Sequence, residues 1–158
     1  FAFQKYKINP HIITMAKGMG NGFPIGGILI HSEIKAKYGM LGTTFGGNHL
    51  ACCASLAVLE ILKKEDLQQK TKALEVFFRS KAAAIPQIKK IKGRGLMLGI
   101  EFDFEVAELR KTLIYKHHIF TGGSSNKNLI RILPPLTVKE THLEHFFNAL
   151  KKALSSTN

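Results

Sequence analysis

An apolar, β-prone run that ends in a lysine and passes straight into a glycine-rich turn constrains this chain more than any other feature. It reads Ile12-Ile13-Thr14-Met15-Ala16-Lys17-Gly18-Met19-Gly20-Asn21-Gly22-Phe23-Pro24-Ile25-Gly26-Gly27, and a second apolar run, Ile28-Leu29-Ile30, follows. These short apolar, β-prone runs predict two short buried strands, Ile12 to Ala16 and Gly27 to His31, on either side of the glycine-rich turn. A lysine at the mouth of a buried strand is poorly hydrated, and flexible backbone beside it lets a ligand come close. Those conditions favour a neutral amine and Schiff-base chemistry with a carbonyl cofactor. The competing reading is a plain surface lysine at a strand end.

The 158 residues allow one ordinary domain or a piece of a larger one, and an apolar fraction of 45% is enough to bury a core. No apolar run approaches the roughly 20 residues that span a bilayer, so no membrane partner is expected. The chain opens Phe1-Ala2-Phe3-Gln4-Lys5-Tyr6, with no basic-then-apolar signal, and is expected to be a fragment of a longer protein. A net charge of +12 raises a nucleic-acid reading. The basic residues are spread along the chain, however, in short runs such as Lys89-Lys90-Ile91-Lys92, which favours a solvated lysine-rich surface and no nucleic-acid partner. Cys52 and Cys53 are adjacent in an Ala/Leu-rich stretch and would point about 100° apart on a helix. They read as small helix-packing residues of a reducing cytoplasm, not as a disulfide or metal site. No histidine has metal-ligand spacing, and no metal is expected; His117-His118 reads as a helix end or strand start.

Further along, Ser32 to Lys37 reads as a short capped helical turn, and Gly42 to Asn48 as a second loop of glycines and hydroxyls. A long helix is predicted from His49 to Lys63, with Leu50, Ala54, Ala57, Val58, Ile61 and Leu62 on its buried face. Another helix is predicted from Asp66 to Ala84. After Pro86 come strands at Ile88 to Lys92, Leu96 to Phe102, Ile119 to Thr121 and Leu129 to Leu133. Helices are predicted from Glu105 to Lys116 and from Thr137 to Leu154. Gly93-Arg94-Gly95 is expected to be a tight connection with Arg94 in a structural role. The texture thus changes from an α/β part to a small α+β part.

Four segments occur in one order: Thr14-Met15-Ala16-Lys17-Gly18, Gly22-Phe23-Pro24-Ile25-Gly26-Gly27, Thr43-Thr44-Phe45-Gly46-Gly47-Asn48 and Arg131-Ile132-Leu133-Pro134-Pro135-Leu136. Together they resemble the class III aminotransferases, which are fold-type-I pyridoxal-phosphate enzymes. The likeness covers essentially the whole chain and about the C-terminal two-fifths of a typical member. It implies an α/β fold: residues 1–60 would be the C-terminal part of the cofactor-binding large domain with the start of a connecting helix. Residues 61–158 would be the small α+β C-terminal domain.

The same resemblance implies roles. Lys17 matches the lysine that holds pyridoxal 5'-phosphate and serves as general acid and base. Thr44 matches the threonine that binds the cofactor phosphate from the neighbouring subunit of a homodimer, and Thr43 a position that contacts cofactor or substrate. Arg131 matches the arginine that grips a substrate carboxylate, which suits a guanidinium because it can give two parallel hydrogen bonds. Thr43-Thr44 could instead be an ordinary hydroxyl turn, and Arg131 could instead pair with an acidic neighbour. The members that the chain most resembles imply a cytoplasmic enzyme of arginine biosynthesis that moves the δ-amino group of N-acetylornithine to 2-oxoglutarate, giving glutamate.

Two positions depart from the family pattern: Pro10-His11 where Pro-Asp is common, and Asn48-His49 where Asn-Pro is common. The aspartate that pairs with the cofactor's pyridine nitrogen, the upstream phosphate-binding turn and a stacking aromatic ring are all expected before Phe1. On that basis this chain alone is not expected to turn over. Alternative readings are an ornithine, succinylornithine or 4-aminobutyrate aminotransferase, a catalytically dead truncated remnant, and a basic nucleic-acid-binding module.

Overall fold

A computed structural model of the chain describes residues 1–156; Thr157 and Asn158, at the end of the expected second domain, lie outside the described residues. In chain order the elements are α1 (Ala2–Lys5), β1 (Ile12–Met15), a 3-10 turn (Lys17–Gly20), β2 (Gly27–Ile30), α2 (His49–Lys64) and α3 (Leu67–Ala83). They continue with β3 (Lys90–Arg94), β4 (Met97–Glu101), α4 (Ala107–His117), β5 (Leu129–Ile132) and α5 (Glu140–Ser155). The mixture of helix and sheet is of the α/β kind expected. The chain divides into two compact units, Phe1–Glu65 and the residues from Asp66 onward.

In the first unit β1 and β2 form a two-stranded antiparallel hairpin with Ile12 opposite Ile30 and Met15 opposite Gly27. Both strands fall close to their predicted places, but they are not buried: Ile12 is 53% exposed and Ile28 52%. The reason is that a hairpin with no third strand, beside one long helix and the single turn of α1, has too little around it to cover two faces. In place of the predicted capped helical turn over Ser32 to Lys37, only Ser32 and Glu33 form a turn, closed by the Ile34 N–H on the His31 carbonyl at 3.0 Å, and residues 35–37 are irregular. Helix α2 starts where predicted because Asn48 caps it, its Oδ1 accepting the Ala51 N–H at 3.0 Å while its Nδ2 donates to the Phe45 carbonyl at 2.9 Å. His49 is therefore an adequate first helical residue. The buried stripe of α2 is shifted from the predicted one: Ala51 and Ser55 are buried, Ala54, Val58 and Leu62 half-buried, and Leu50, Ala57 and Ile61 exposed. Cys52 and Cys53 are free and exposed, so they do not pack the helix as expected.

The second unit carries a three-stranded antiparallel sheet, β3-β4-β5, and three helices. The central strand β4 is buried at Leu98, Gly99 and Ile100, as a strand covered on both faces must be. Helix α3 presents Leu74, Phe78 and Ala82 at four-residue spacing, and α5 presents Leu143, Phe146, Phe147, Leu150 and Leu154. The rings of Phe78 and Phe147 meet at a tilt, 4.8 Å between centroids, and Phe146 stacks on Phe78 at 6.0 Å. Helix α4 stops at His118, whose φ of 56° is left-handed. No strand forms at Ile119 to Thr121: the Ile119 N–H is drawn back to the Leu113 carbonyl, and only Gly122 pairs with β5, at Arg131. Among the described residues no helix is long and apolar enough to cross a membrane, and no group of three or more His, Cys, Asp or Glu side chains could hold a metal ion.

Candidate functional site

Lys17 follows β1 directly. Ala16 is extended (φ −160°, ψ −162°), and Lys17 then turns into the left-handed region at φ 53°, a conformation that residues with a Cβ seldom adopt. The chain next makes one 3-10 turn and reverses again at Asn21, φ 48°. This double reversal turns the backbone sharply away from the strand at the lysine. Its side chain is exposed, contrary to the expectation of a poorly hydrated amine, because the strand before it is itself open to solvent. Among the described residues no carboxylate forms an ion pair with it. Beneath the turn lies an apolar cavity of 760 Å³ walled by Met15, Met19, Val58 and Leu62; Ala16 and Gly18 reach it, and Lys17 does not.

Thr43 and Thr44 lie in the exposed loop that the Asn48 cap ties to the start of α2. A Cβ on Gly46 would run into the Thr43 side chain, so the loop packs a threonine over bare backbone. The 3-10 turn of Lys17 rests against the same helix, with the Ser55 hydroxyl donating to the Met19 carbonyl at 3.2 Å. Helix α2 is therefore the element on which the lysine turn and the threonine loop both hang. An amine, two hydroxyls and backbone N–H groups next to glycines are a donor set that suits an aldehyde bearing a phosphate, so these residues fit pyridoxal phosphate.

Arg131 belongs to the second unit. In β5 it faces away from the core, while Leu129, Ile130 and Ile132 are buried, which is how an apolar strand tolerates an arginine. The alternative of an acidic partner is not met: among the described residues none pairs with it. Its backbone exchanges two 2.9 Å hydrogen bonds with Gly122. A Cβ at Gly122 would lie 3.0 Å from both Arg131 Cβ and Nε, so the missing side chain lets the arginine lie flat across this segment. Arg131 borders a cavity of 490 Å³ walled by Phe120, Ile132, Pro134, Val138 and Phe146. Arg94 ends β3 opposite Met97 at the two-residue β3–β4 turn and is exposed.

Sequence reasoning missed Ser55 and Gly122. Ser55 was detectable as the polar residue four positions after Ala51 on an apolar stripe. Gly122 gave no signal, because its role depends on a neighbour in another strand.

Comparison with known proteins gives the family of the chain. The chain is 39% identical to the acetylornithine aminotransferase of Methanocaldococcus jannaschii over 163 residues, which is 98% of this chain and 40% of that protein. Among solved structures it superposes on an ornithine aminotransferase of Toxoplasma gondii, described with partial occupancy of PLP at its active site. That match has a TM-score of 0.85 at 26% identity and covers 99% of this chain and 39% of the other. The acetylornithine aminotransferase of Elizabethkingia anophelis matches with a TM-score of 0.84 at 26% identity, over 99% of this chain and 41% of that one. The chain thus spans about two-fifths of the length of the proteins it matches. Class III aminotransferases use pyridoxal phosphate. A family model described as Aminotransferase class-III matches residues 1–154, and the chain belongs to that family.

Proposed function

We propose that this chain is part of a cytoplasmic, homodimeric, pyridoxal-phosphate-dependent aminotransferase that moves the δ-amino group of N-acetylornithine to 2-oxoglutarate. The observation that carries the reading is Lys17: an exposed amine, unpaired among the described residues, held off a strand end on left-handed backbone in a chain of this family. In this reading residues 1–60 belong to the large cofactor domain and 61–158 to the small C-terminal domain.

When bound, the cofactor supplies a carbonyl group for amine exchange and a ring that takes up an electron pair. Lys17 Nζ is the attachment point and, when free, carries the proton removed from and returned to the substrate carbon. Thr44 Oγ1 and N–H groups beside Gly46 and Gly47 bind the phosphate, and Thr44 serves the partner subunit's site. Thr43 contacts cofactor or substrate. Arg131 binds a substrate carboxylate through two parallel hydrogen bonds and so sets the direction of the bond to be broken.

N-acetylornithine as donor is supported by the 39% identity to a relative of that name. The fold does not separate it from ornithine, because the two solved structures match almost equally, at TM-scores of 0.85 and 0.84. Reductive trapping tests the lysine: the chain is mixed with limiting pyridoxal phosphate, reduced with borohydride, digested and mapped by mass spectrometry, with Lys17→Ala as control. Label on Lys17 several-fold above the other lysines is expected. Even labelling would overturn Lys17 as the cofactor lysine and favour a dead remnant.

A further inference from the structure

We propose that Ser55 is a positioning residue for Lys17, holding the left-handed lysine turn against α2 through its hydroxyl. The inference rests on the reading of Lys17 as the cofactor lysine. Among the described residues Ser55 is the buried polar side chain, 6% exposed. A serine inside a helix ordinarily donates back to the carbonyl four residues earlier or faces water. Here Oγ leaves its own helix and donates to the Met19 carbonyl, 36 residues away in sequence and two after Lys17.

The other hydrogen bonds of that turn are local: Met19 N–H to the Ala16 carbonyl at 3.2 Å, Asn21 N–H to Gly18 at 3.1 Å and Phe23 N–H to Gly20 at 3.0 Å. Local bonds move with the turn and cannot fix its orientation. Left-handed backbone at a lysine persists only where the surroundings impose it. The 760 Å³ cavity beside this contact is lined by Gly18 and Met19 of the turn and by Ser55, Val58 and Leu62 of α2. Among the described residues the Ser55 bond is the hydrogen bond that joins the helix to the peptide beyond Gly18. It thereby fixes the direction in which the Lys17 Cα–Cβ bond leaves the chain.

The test compares wild type, Ser55→Ala and Ser55→Thr by two readouts: amide hydrogen exchange at Met19 to Asn21, and the Lys17 share of pyridoxal-phosphate label after borohydride. Ser55→Ala should speed exchange in the turn about tenfold with α2 unchanged, and cut the Lys17 share several-fold. Ser55→Thr keeps the hydroxyl and has cavity room for its methyl, so it should restore both. A Lys17 share unchanged in Ser55→Ala, or no rescue by threonine, overturns the proposal. Even labelling already in the wild type instead overturns the reading of Lys17 as the cofactor lysine, and the exchange data alone then decide whether Ser55 holds the turn.

Discussion

Phe78, Ile100, Leu109, Leu113, Ile130 and Leu150 of the second unit are almost fully enclosed, whereas among the described residues of the first the buried side chains are Ala51 and Ser55. The second unit closes a sheet with helices whose apolar faces meet one another. The first holds a hairpin, loops, the single turn of α1 and a long helix, α2, that leaves Leu50, Leu56 and Leu59 open to solvent. Yet the lysine and the two threonines sit in the unit with the small core. Their chemistry is set by backbone turns and a helix cap, which need few residues. The enclosure that would desolvate an amine needs many more, and the chain spans about two-fifths of its relatives' length.

Matched truncations are the strongest way to break that contrast. Phe78→Ala removes a fully buried ring that touches Phe146 and Phe147, and should cost about 3–5 kcal/mol. Leu56→Ala in α2, where the side chain is 57% exposed, should cost under about 0.5 kcal/mol. Urea unfolding followed by circular dichroism measures both. A Leu56 loss near the Phe78 value would mean that α2 is covered in solution, and the contrast would fall.

A second pair compares carboxylates. Glu75 is 13% exposed; it accepts the Gly95 N–H at 2.6 Å and pairs with Arg79, which in turn donates to the Gly93 carbonyl at 2.8 Å. Glu75→Ala would strand an N–H and a guanidinium at the β3–β4 turn, a loss of about 1–3 kcal/mol. Glu33, 70% exposed, lies 3.3 Å from His11 and 3.6 Å from His31, and Glu33→Ala should cost under about 1 kcal/mol. The same unfolding assay separates them, and equal losses would show that the first unit depends on its polar contacts as much as the second.

What the residues disclosed beforehand follows the same division. The helices and β4 of the second unit were legible because their apolar spacing repeats over several turns, and Asn48 marked the start of α2 by its capping chemistry. The burial of β1 and β2 was misjudged, since an Ile-rich run looks alike whether or not a neighbouring strand covers it. Leu50 and Ile61 misled for a related reason: residues 49 to 64 carry apolar groups nearly all round, so period alone does not choose the buried stripe. Ile119 to Thr121 has β-prone residues, but the close of α4 takes the Ile119 N–H first. At the site, the identity of Lys17, Thr43, Thr44 and Arg131 was readable as motif. The left-handed backbone at Lys17 and the bare Gly122 under Arg131 were not, because both depend on segments distant in sequence.

The smallest expected effect concerns the loop that leads to Arg131. Glu101, at the end of β4, accepts hydrogen bonds from Lys92 Nζ at 2.9 Å and Asn126 Nδ2 at 2.7 Å. The Lys92 hydrogen bond, chiefly, holds its carboxyl below the ordinary glutamate value. The unfolded chain therefore binds this proton more readily than the folded one, so stability from the contact is complete above the unfolded carboxyl range. It fades as pH falls through the lower folded value. Glu101→Gln should flatten the pH dependence of the unfolding midpoint below about pH 5, by a small amount because the pair is solvent-screened. It should also loosen Asn126, whose Oδ1 accepts the Asn128 N–H at 3.0 Å just before β5. Exchange of the Asn128 amide that quickens in Glu101→Gln, with Phe78 packing intact, would show that the arginine strand is tethered by polar contacts as well as by its core. An unchanged amide would leave the arginine strand held by its backbone pairing and its core, without help from the Glu101 contact.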